Sequence, residues 1–371
     1  MNNTVLFLLV LVLLPVFIST MFIPYWTRKS ESFGVSIPES LYSSKKLKQM
    51  RKEYVLQTGI LSFITASSLV LLTAFFEITD DIVSIYFASL TLFYIVISFL
   101  IYLTFHRRMK QIKHEDSQYG SKQSQMLVID TSFRQQKLTY SNLWFTISFL
   151  IAITTMLITL QNYHHIPKRI PMQYNFSGEV TNWTNKSYRS VLILPIMQVY
   201  LTLLFIFINK IIAKAKQQVS AVNPEDSKKR NIIFRRRWSA YLITTSIALT
   251  AMLSIIQLSF IYPINQQFMV VVPLVFSLVI TLGAIWLSIT TGQGGSRVIT
   301  HDKDEAEKRI NRDDDKYWKL GVFYFNKNDP SLFLEKRFGV GWTNNWANPL
   351  SWIIIIVIIL LAAGIPFILS T

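Results

Sequence analysis

The chain has no cysteine among its 371 residues. Disulfides, thiolate metal sites and cysteine nucleophiles are therefore excluded, and stability has to come from helix packing alone. Histidine is scarce: His106, His114, His164, His165 and His301 are the five, and no His-Glu-x-x-His spacing sets two imidazoles and a base on one helix face. The adjacent His164 and His165 would diverge by about 100° on a helix, too far to share a metal readily. They read as an exposed helix end. No Gly-x-Ser-x-Gly elbow offers a serine nucleophile. Charged residues make up only 16% of the chain. Its long apolar runs hold essentially none of the ionisable groups that mark ion paths or chemistry inside a membrane. They carry scattered neutral polars such as Asn142, Gln198 and Gln257, while Glu77, Asp80 and Asp81 lie at or beyond a helix end. These absences argue against an enzyme and against a proton- or sodium-coupled transporter, and no metal or cofactor is implied.

What is present is hydrophobic sequence, 51% of the chain, gathered in blocks rather than alternating or helical stripes. A helix crossing a membrane needs roughly 20 mostly apolar residues. Eight segments qualify: 4–24, 57–77, 82–105, 141–161, 190–212, 238–262, 268–290 and 350–369. The first is read as a retained span rather than a secretion signal. No Lys or Arg precedes it, and Arg28 and Lys29 follow it. Lys and Arg then set the orientation, because cytoplasmic loops retain positive charge. Loops 25–56, 106–140, 213–237 and 291–349 hold seven, seven, eight and ten of these residues; 78–81 and 263–267 hold none, and 162–189 holds four. The expected fold is an all-α polytopic membrane helix bundle of about eight transmembrane helices with N and C termini outside. A net charge of +16 then belongs to basic loops facing an anionic leaflet. The lipid bilayer is the implied partner, and no nucleic-acid recognition module is visible.

Five regions follow: 1–140, three spans with their loops; 141–215, a helix-loop-helix unit; 216–290, spans six and seven; 291–349, an aromatic and basic cytoplasmic segment; and 350–371, the last span. In the loop 25–56, Ser36 and Pro38 predict the start of a helix running from Glu39 through Tyr54 into the second span. The apolar run 126–130 fits either a small strand or a surface helix, and 217–231 reads as a hydrophilic connector. Thr291-Gly-Gln-Gly-Gly-Ser-Arg297 follows a membrane helix and lacks the Gly-Lys-Ser/Thr ending of a phosphate loop. A helix stop with Arg297 at lipid phosphate is the reading, before the charged run 301–315. Residues 316–349 are dense in aromatics, and 319–325 and 332–338 flank the turn-like Asn326-Lys-Asn-Asp-Pro330. This predicts a small β-hairpin against the inner membrane face, its tryptophans forming an interfacial belt. Arg297, Trp318, Lys336, Arg337 and Trp342 are the candidate contacts to lipid or to a cytoplasmic regulator.

One polar island interrupts the greasy runs, Ile170-Pro-Met-Gln-Tyr-Asn-Phe-Ser-Gly-Glu-Val-Thr-Asn-Trp-Thr-Asn-Lys-Ser187. Pro167 and Pro171 favour extended backbone before them, Ser177-Gly178 permits a tight turn, and Trp183 suits a membrane interface. The expected shape is a compact, hydrogen-bonded hook on the outer face. Three glycosylation sequons begin at Asn175, Asn182 and Asn185, but turn-rich composition produces such sequons by chance.

The pattern Ile170-Pro-x-x-Tyr-Asn-x-x-Gly-Glu-x-x-x-Trp-x-x-Lys186 resembles the uncharacterised domain of bacterial membrane proteins that includes the SdpI-type immunity proteins, over roughly residues 140–215. A second uncharacterised domain, found in some larger bacterial homologues, is resembled by Asp315-Lys-Tyr-Trp-Lys-Leu-Gly-Val-Phe-Tyr-Phe-Asn326, Asp329-Pro330 and Lys336-Arg-Phe-Gly-Val-Gly-Trp342. The resemblance implies a non-enzymatic plasma-membrane protein of the immunity or sensor type. Its hook, 166–189, would meet an extracellular peptide or toxin through Pro171, Asn175, Gly178, Glu179, Trp183 and Lys186. The family often has histidine where Gln173 stands, so no histidine-dependent role carries over. The alternative is a transporter or permease component for a neutral or lipid-like substrate, favoured by a hydrated cavity lined by the neutral polars.

Overall fold

The computed structural model describes residues 3–75, 80–115, 136–175, 178–217, 224–299 and 315–370. The run 126–130, connector residues 218–223 and charged residues 301–314 lie outside these. The chain is a multi-pass, all-α membrane helix bundle. Seven of its described helices are long and apolar enough to cross a membrane, and a further apolar helix, α9 (Pro349–Ser370), closes the series. The chain forms two compact units, one from Met1–Gln136, Ala215–Phe234 and Ile285–Asn348, the other from Lys137–Lys214, Arg235–Ala284 and Pro349–Thr371.

In the first unit, α1 (Asn3–Phe7) and α2 (Leu14–Trp26) make one helical run joined by π-helical turns at Leu8–Leu13. The wide turns come just before Pro15, which has no N–H to return to the carbonyl four residues back. This run packs on α3 (Lys45–Phe75), and α3 on α4 (Asp80–Glu115). Val5, Leu13, Phe17, Leu61, Leu69 and Tyr94 are buried among them. Hydroxyls in α3 return to the preceding turn, as Thr58 does to the Tyr54 carbonyl at 2.7 Å and Ser62 to that of Thr58 at 2.8 Å. A polar side chain in an apolar helix is satisfied this way without a partner helix.

The helix predicted from Ser36 begins only at Lys45, and from there it runs through Tyr54 into the second span as expected. Residues Glu31–Ser32 (β1) and Val35–Ser36 (β2) form a tight hairpin, and the Ser36 amide donates to the Asp315 carboxylate at 3.2 Å. Pro38 is extended, only a 3-10 turn follows at Glu39–Leu41, and α3 starts at Lys45 behind Ser44. Pro38 begins a turn there rather than a helix.

The C-terminal aromatic segment folds as two hairpins, not one. Trp318–Lys319 (β5) pairs with Phe323–Tyr324 (β6), and Phe333–Glu335 (β7) with Trp342–Asn344 (β8), so 319–325 and 332–338 are not partners. Leu320 and Gly321, both at positive φ, close the first turn before the Asn326–Pro330 stretch is reached. That stretch is a connector instead. Asn345 donates from its amide to the carbonyls of Asn326 at 2.8 Å and Asp329 at 3.0 Å, clamping it.

Part of the aromatic segment expected at the interface is core instead, while Trp342 and Trp346 are only partly buried. Phe338 stacks on Phe33 at 6.0 Å and lies against Tyr102 at 4.4 Å, while Trp318 is 3% exposed and packs on Tyr324. Buried charges bind the same segment together: Arg28 pairs with Glu335, which also accepts from Asn231 at 2.8 Å. Arg337 pairs with Asp315, which also meets Lys113 at 2.8 Å. Burial opposes ionisation of Asp315, but Arg337 and Lys113 outweigh it and hold the carboxyl below its ordinary range.

The second unit contains α5 (Thr146–Gln161), α6 (Tyr188–Lys214), α9, and the parts of α7 (Pro224–Leu258) and α8 (Gln266–Thr291) from Arg235 to Ala284. Here the neutral polars singled out in the sequence bond helix to helix. Gln198 donates to the Thr250 carbonyl and to Ser254 Oγ, both at 2.9 Å, and Ser254 Oγ lies 2.7 Å from Thr155 Oγ1. Asn209 donates to Asn142 Oδ1 at 2.8 Å. Pro195 inside α6 has no hydrogen for the Val191 carbonyl, and Gln257 of α7 supplies one at 3.0 Å. Interhelical bonds of this kind replace the hydrophobic driving force that lipid removes.

Candidate functional site

The island between α5 and α6 is a β-hairpin, Arg169–Tyr174 (β3) against Val180–Asn185 (β4), with register shifts around Gln173. The prolines produce this locally, since Pro167 and Pro171 deny the helix that α5 would otherwise continue. A 3-10 turn at Tyr163–His165 ends the α5 run, and both histidines are exposed there. At the root, Ile166 and Ile170 are buried against Val191 and Phe260. Alternation along β3 puts Ile170 inward and Arg169 outward.

Polar bonds fix both ends of the hairpin. At the turn, the Asn175 side chain accepts from the Glu179 amide at 2.8 Å and donates to the Glu179 carboxylate at 2.9 Å. Gly178 sits at φ 86°, and a Cβ there would lie 3.6 Å from Gln266 at the start of α8. At the root, the Lys186 ammonium donates to the carbonyls of Ile166 at 2.8 Å and Tyr163 at 3.1 Å, and it lies over the Tyr163 ring. Tyr163 stacks in turn on Tyr188 at 4.3 Å.

A cavity of about 300 Å³ lies under the hairpin. Pro171, Met172, Tyr174 and Asn175 roof it. Below them the wall comes from Leu194 of α6, Ile256 of α7, Phe260, and Met269, Pro273 and Leu274 of α8. Burial pushes the Tyr174 hydroxyl above its ordinary range. Among the described residues no group of three His, Asp or Glu could hold a metal ion.

The structure brings the six hook residues onto this one hairpin in different settings. Pro171 and Asn175 line the cavity, Gly178 makes the turn, and Glu179 pins it. Trp183 is 52% exposed on β4 and presents apolar surface outward, whereas Met172, 36% exposed on β3, borders the cavity. The Lys186 ammonium is committed to two carbonyls and a ring. The loop 162–189 holds four cations, Lys168, Arg169, Lys186 and Arg189, and one carboxylate, Glu179. The second set of candidates is more scattered. Trp318 and Arg337 are buried, with the Arg337 guanidinium 5.1 Å over the Trp318 ring, and Trp342 packs on Phe234. Lys336 is exposed. Arg297 is exposed but donates to the carbonyls of Ile289 at 2.7 Å and Tyr25 at 2.8 Å, closing the end of α8.

Sequence reasoning missed the cavity wall. Residues 193–194, 256–260 and 269–274 lie in three separate apolar runs with ordinary helical composition. The visible signal was the pair of prolines, Pro195 and Pro273, inside two spanning helices.

Two stretches of the chain match known family descriptions. Residues 150–199, which span most of α5, the whole hairpin and the start of α6, match a domain of unknown function, DUF1648, the domain associated with SdpI. Residues 327–352, which include β7, β8 and the start of α9, match a family of unknown function, DUF5808. No curated protein and no solved structure matches the chain. By these two matches the chain is similar, over the hairpin region and again just before its last helix, to two domains of unknown function within a multi-pass membrane protein.

Proposed function

We propose that this is a non-enzymatic protein of a bacterial plasma membrane, of the immunity or sensor type, whose 166–189 hairpin meets an extracellular peptide or toxin. The observation that carries the reading is the hairpin itself: a fixed scaffold, pinned at both ends, that leaves Trp183 exposed. Large exposed apolar side chains on a rigid element are the usual anchors of recognition. The Lys and Arg asymmetry puts this loop outside. Gln198, Gln257 and Asn209 bond neighbouring helices, and the cavity under the hairpin has an apolar wall. This favours the receiving role over a hydrated transport path.

The test is survival of a susceptible host challenged from outside with spent medium of the source organism. Cells expressing the chain should survive, and cells expressing Trp183→Ala should not, at equal membrane insertion. Equal survival of expressing and empty cells would sink the reading.

A further inference from the structure

The cavity under the hairpin has a composition that identifies its occupant. About 300 Å³ is at the lower end of ligand-sized pockets. Water is a poor filling: each molecule needs two to four polar partners, and Tyr174 and Asn175 are the polar side chains of the wall. The Asn175 amide is already engaged by Glu179. The cavity is half open, and its apolar wall at Phe260, Met269 and Leu274 favours an apolar filling over water. The helices that build the wall also carry exposed apolar side chains near it in sequence, Ile196 on α6 and Phe268, Val271 and Val275 on α8, as helices turned toward hydrocarbon would.

We propose that this cavity is a lipid site that takes one alkyl chain of a membrane amphiphile from the bilayer, with the polar end of that molecule at the hairpin turn beside Tyr174 and Asn175. The chain would pack on Leu194, Phe260, Met269 and Leu274. The hairpin is its roof, because β3 contributes Pro171 and Met172 and the turn at Gly178 approaches Gln266. Recognition of a peptide by the outer face of the hairpin is a separate matter, and the lipid site stands without it.

The probe is palmitate carrying a photoreactive diazirine in its chain, added to the full-length protein in phosphatidylcholine vesicles, with the modified residues mapped by mass spectrometry. Labelling should concentrate on the peptides containing Phe260 and Met269 and be displaced by unlabelled palmitate. Leu194→Trp, and independently Leu274→Phe, should fill the cavity and reduce that labelling at least fivefold at unchanged thermal stability. Trp183→Ala, on the outer face, should leave it unchanged. Label spread evenly over lipid-facing positions such as Val279 and Ile353, neither displaced by palmitate nor sensitive to either filling variant, would overturn the proposal. So would labelling displaced only by a detergent-free apolar peptide.

Discussion

The Lys186 ammonium donates to the backbone carbonyl of Tyr163 at 3.1 Å and lies 4.8 Å over the ring of the same residue. One cation thus ties the exit of the hairpin to its entry, across the loop that β3 and β4 close. A charge placed so reads in the sequence as a ligand group, yet in the structure it is an anchor. Lys186→Met should therefore destabilise the hairpin by about 1.5–3 kcal/mol, the usual worth of hydrogen bonds to a charged group. Limited proteolysis of the intact protein should show faster cleavage at the turn, with the membrane helices intact.

Gln257 and Pro195 form a second linked pair. The proline leaves the Val191 carbonyl without a helical partner, and the Gln257 amide fills the gap from α7. Gln257→Leu should lower the melting temperature in detergent, at a cost of about 1–2 kcal/mol. Gln257→Leu combined with Pro195→Ala should recover much of the loss, because alanine restores the helical hydrogen bond.

Asp329 gives a pH signature. Burial would raise its pKa, but the Lys216 ammonium at 2.5 Å, the Ser331 amide and the Tyr324 hydroxyl bring it down to about 2. A carboxyl depressed in the folded state contributes stability that is complete above its unfolded value, near 4. That stability is lost as pH falls through about 2. With Lys216 partly exposed, its size is on the order of 1–2 kcal/mol. Thermal melts of wild type and Asp329→Asn should differ at pH 7 and converge as the pH approaches 2.

The membrane helices were legible because their signal is local: an apolar run long enough to cross hydrocarbon needs no knowledge of its neighbours. Each of the eight expected spans corresponds to a helix, although α3, α4 and α7 run on past the apolar run into charged sequence, from Lys45, to Glu115 and from Pro224. The hook was legible for the same reason, through Pro171 and Gly178. What stayed hidden depends on residues far apart in the chain. Ser36 meets Asp315, Arg28 meets Glu335, and Phe33 meets Phe338. These contacts fix the hairpin that precedes a late-starting α3 and bury part of the aromatic segment expected at the interface. The cavity was hidden for the same reason, since it exists only where three helices and a hairpin meet.

The central claim is that the 166–189 hairpin faces the outside and the aromatic segment before α9 faces the inside. The natural absence of cysteine makes the direct measurement clean, since any cysteine introduced is unique. Thr181→Cys on β4 and Lys327→Cys between the two C-terminal hairpins are both at exposed positions. With a membrane-impermeant maleimide on intact cells, Thr181→Cys should label fully and Lys327→Cys only after the membrane is permeabilised. Labelling of Lys327→Cys in intact cells, with Thr181→Cys protected until lysis, would contradict the account.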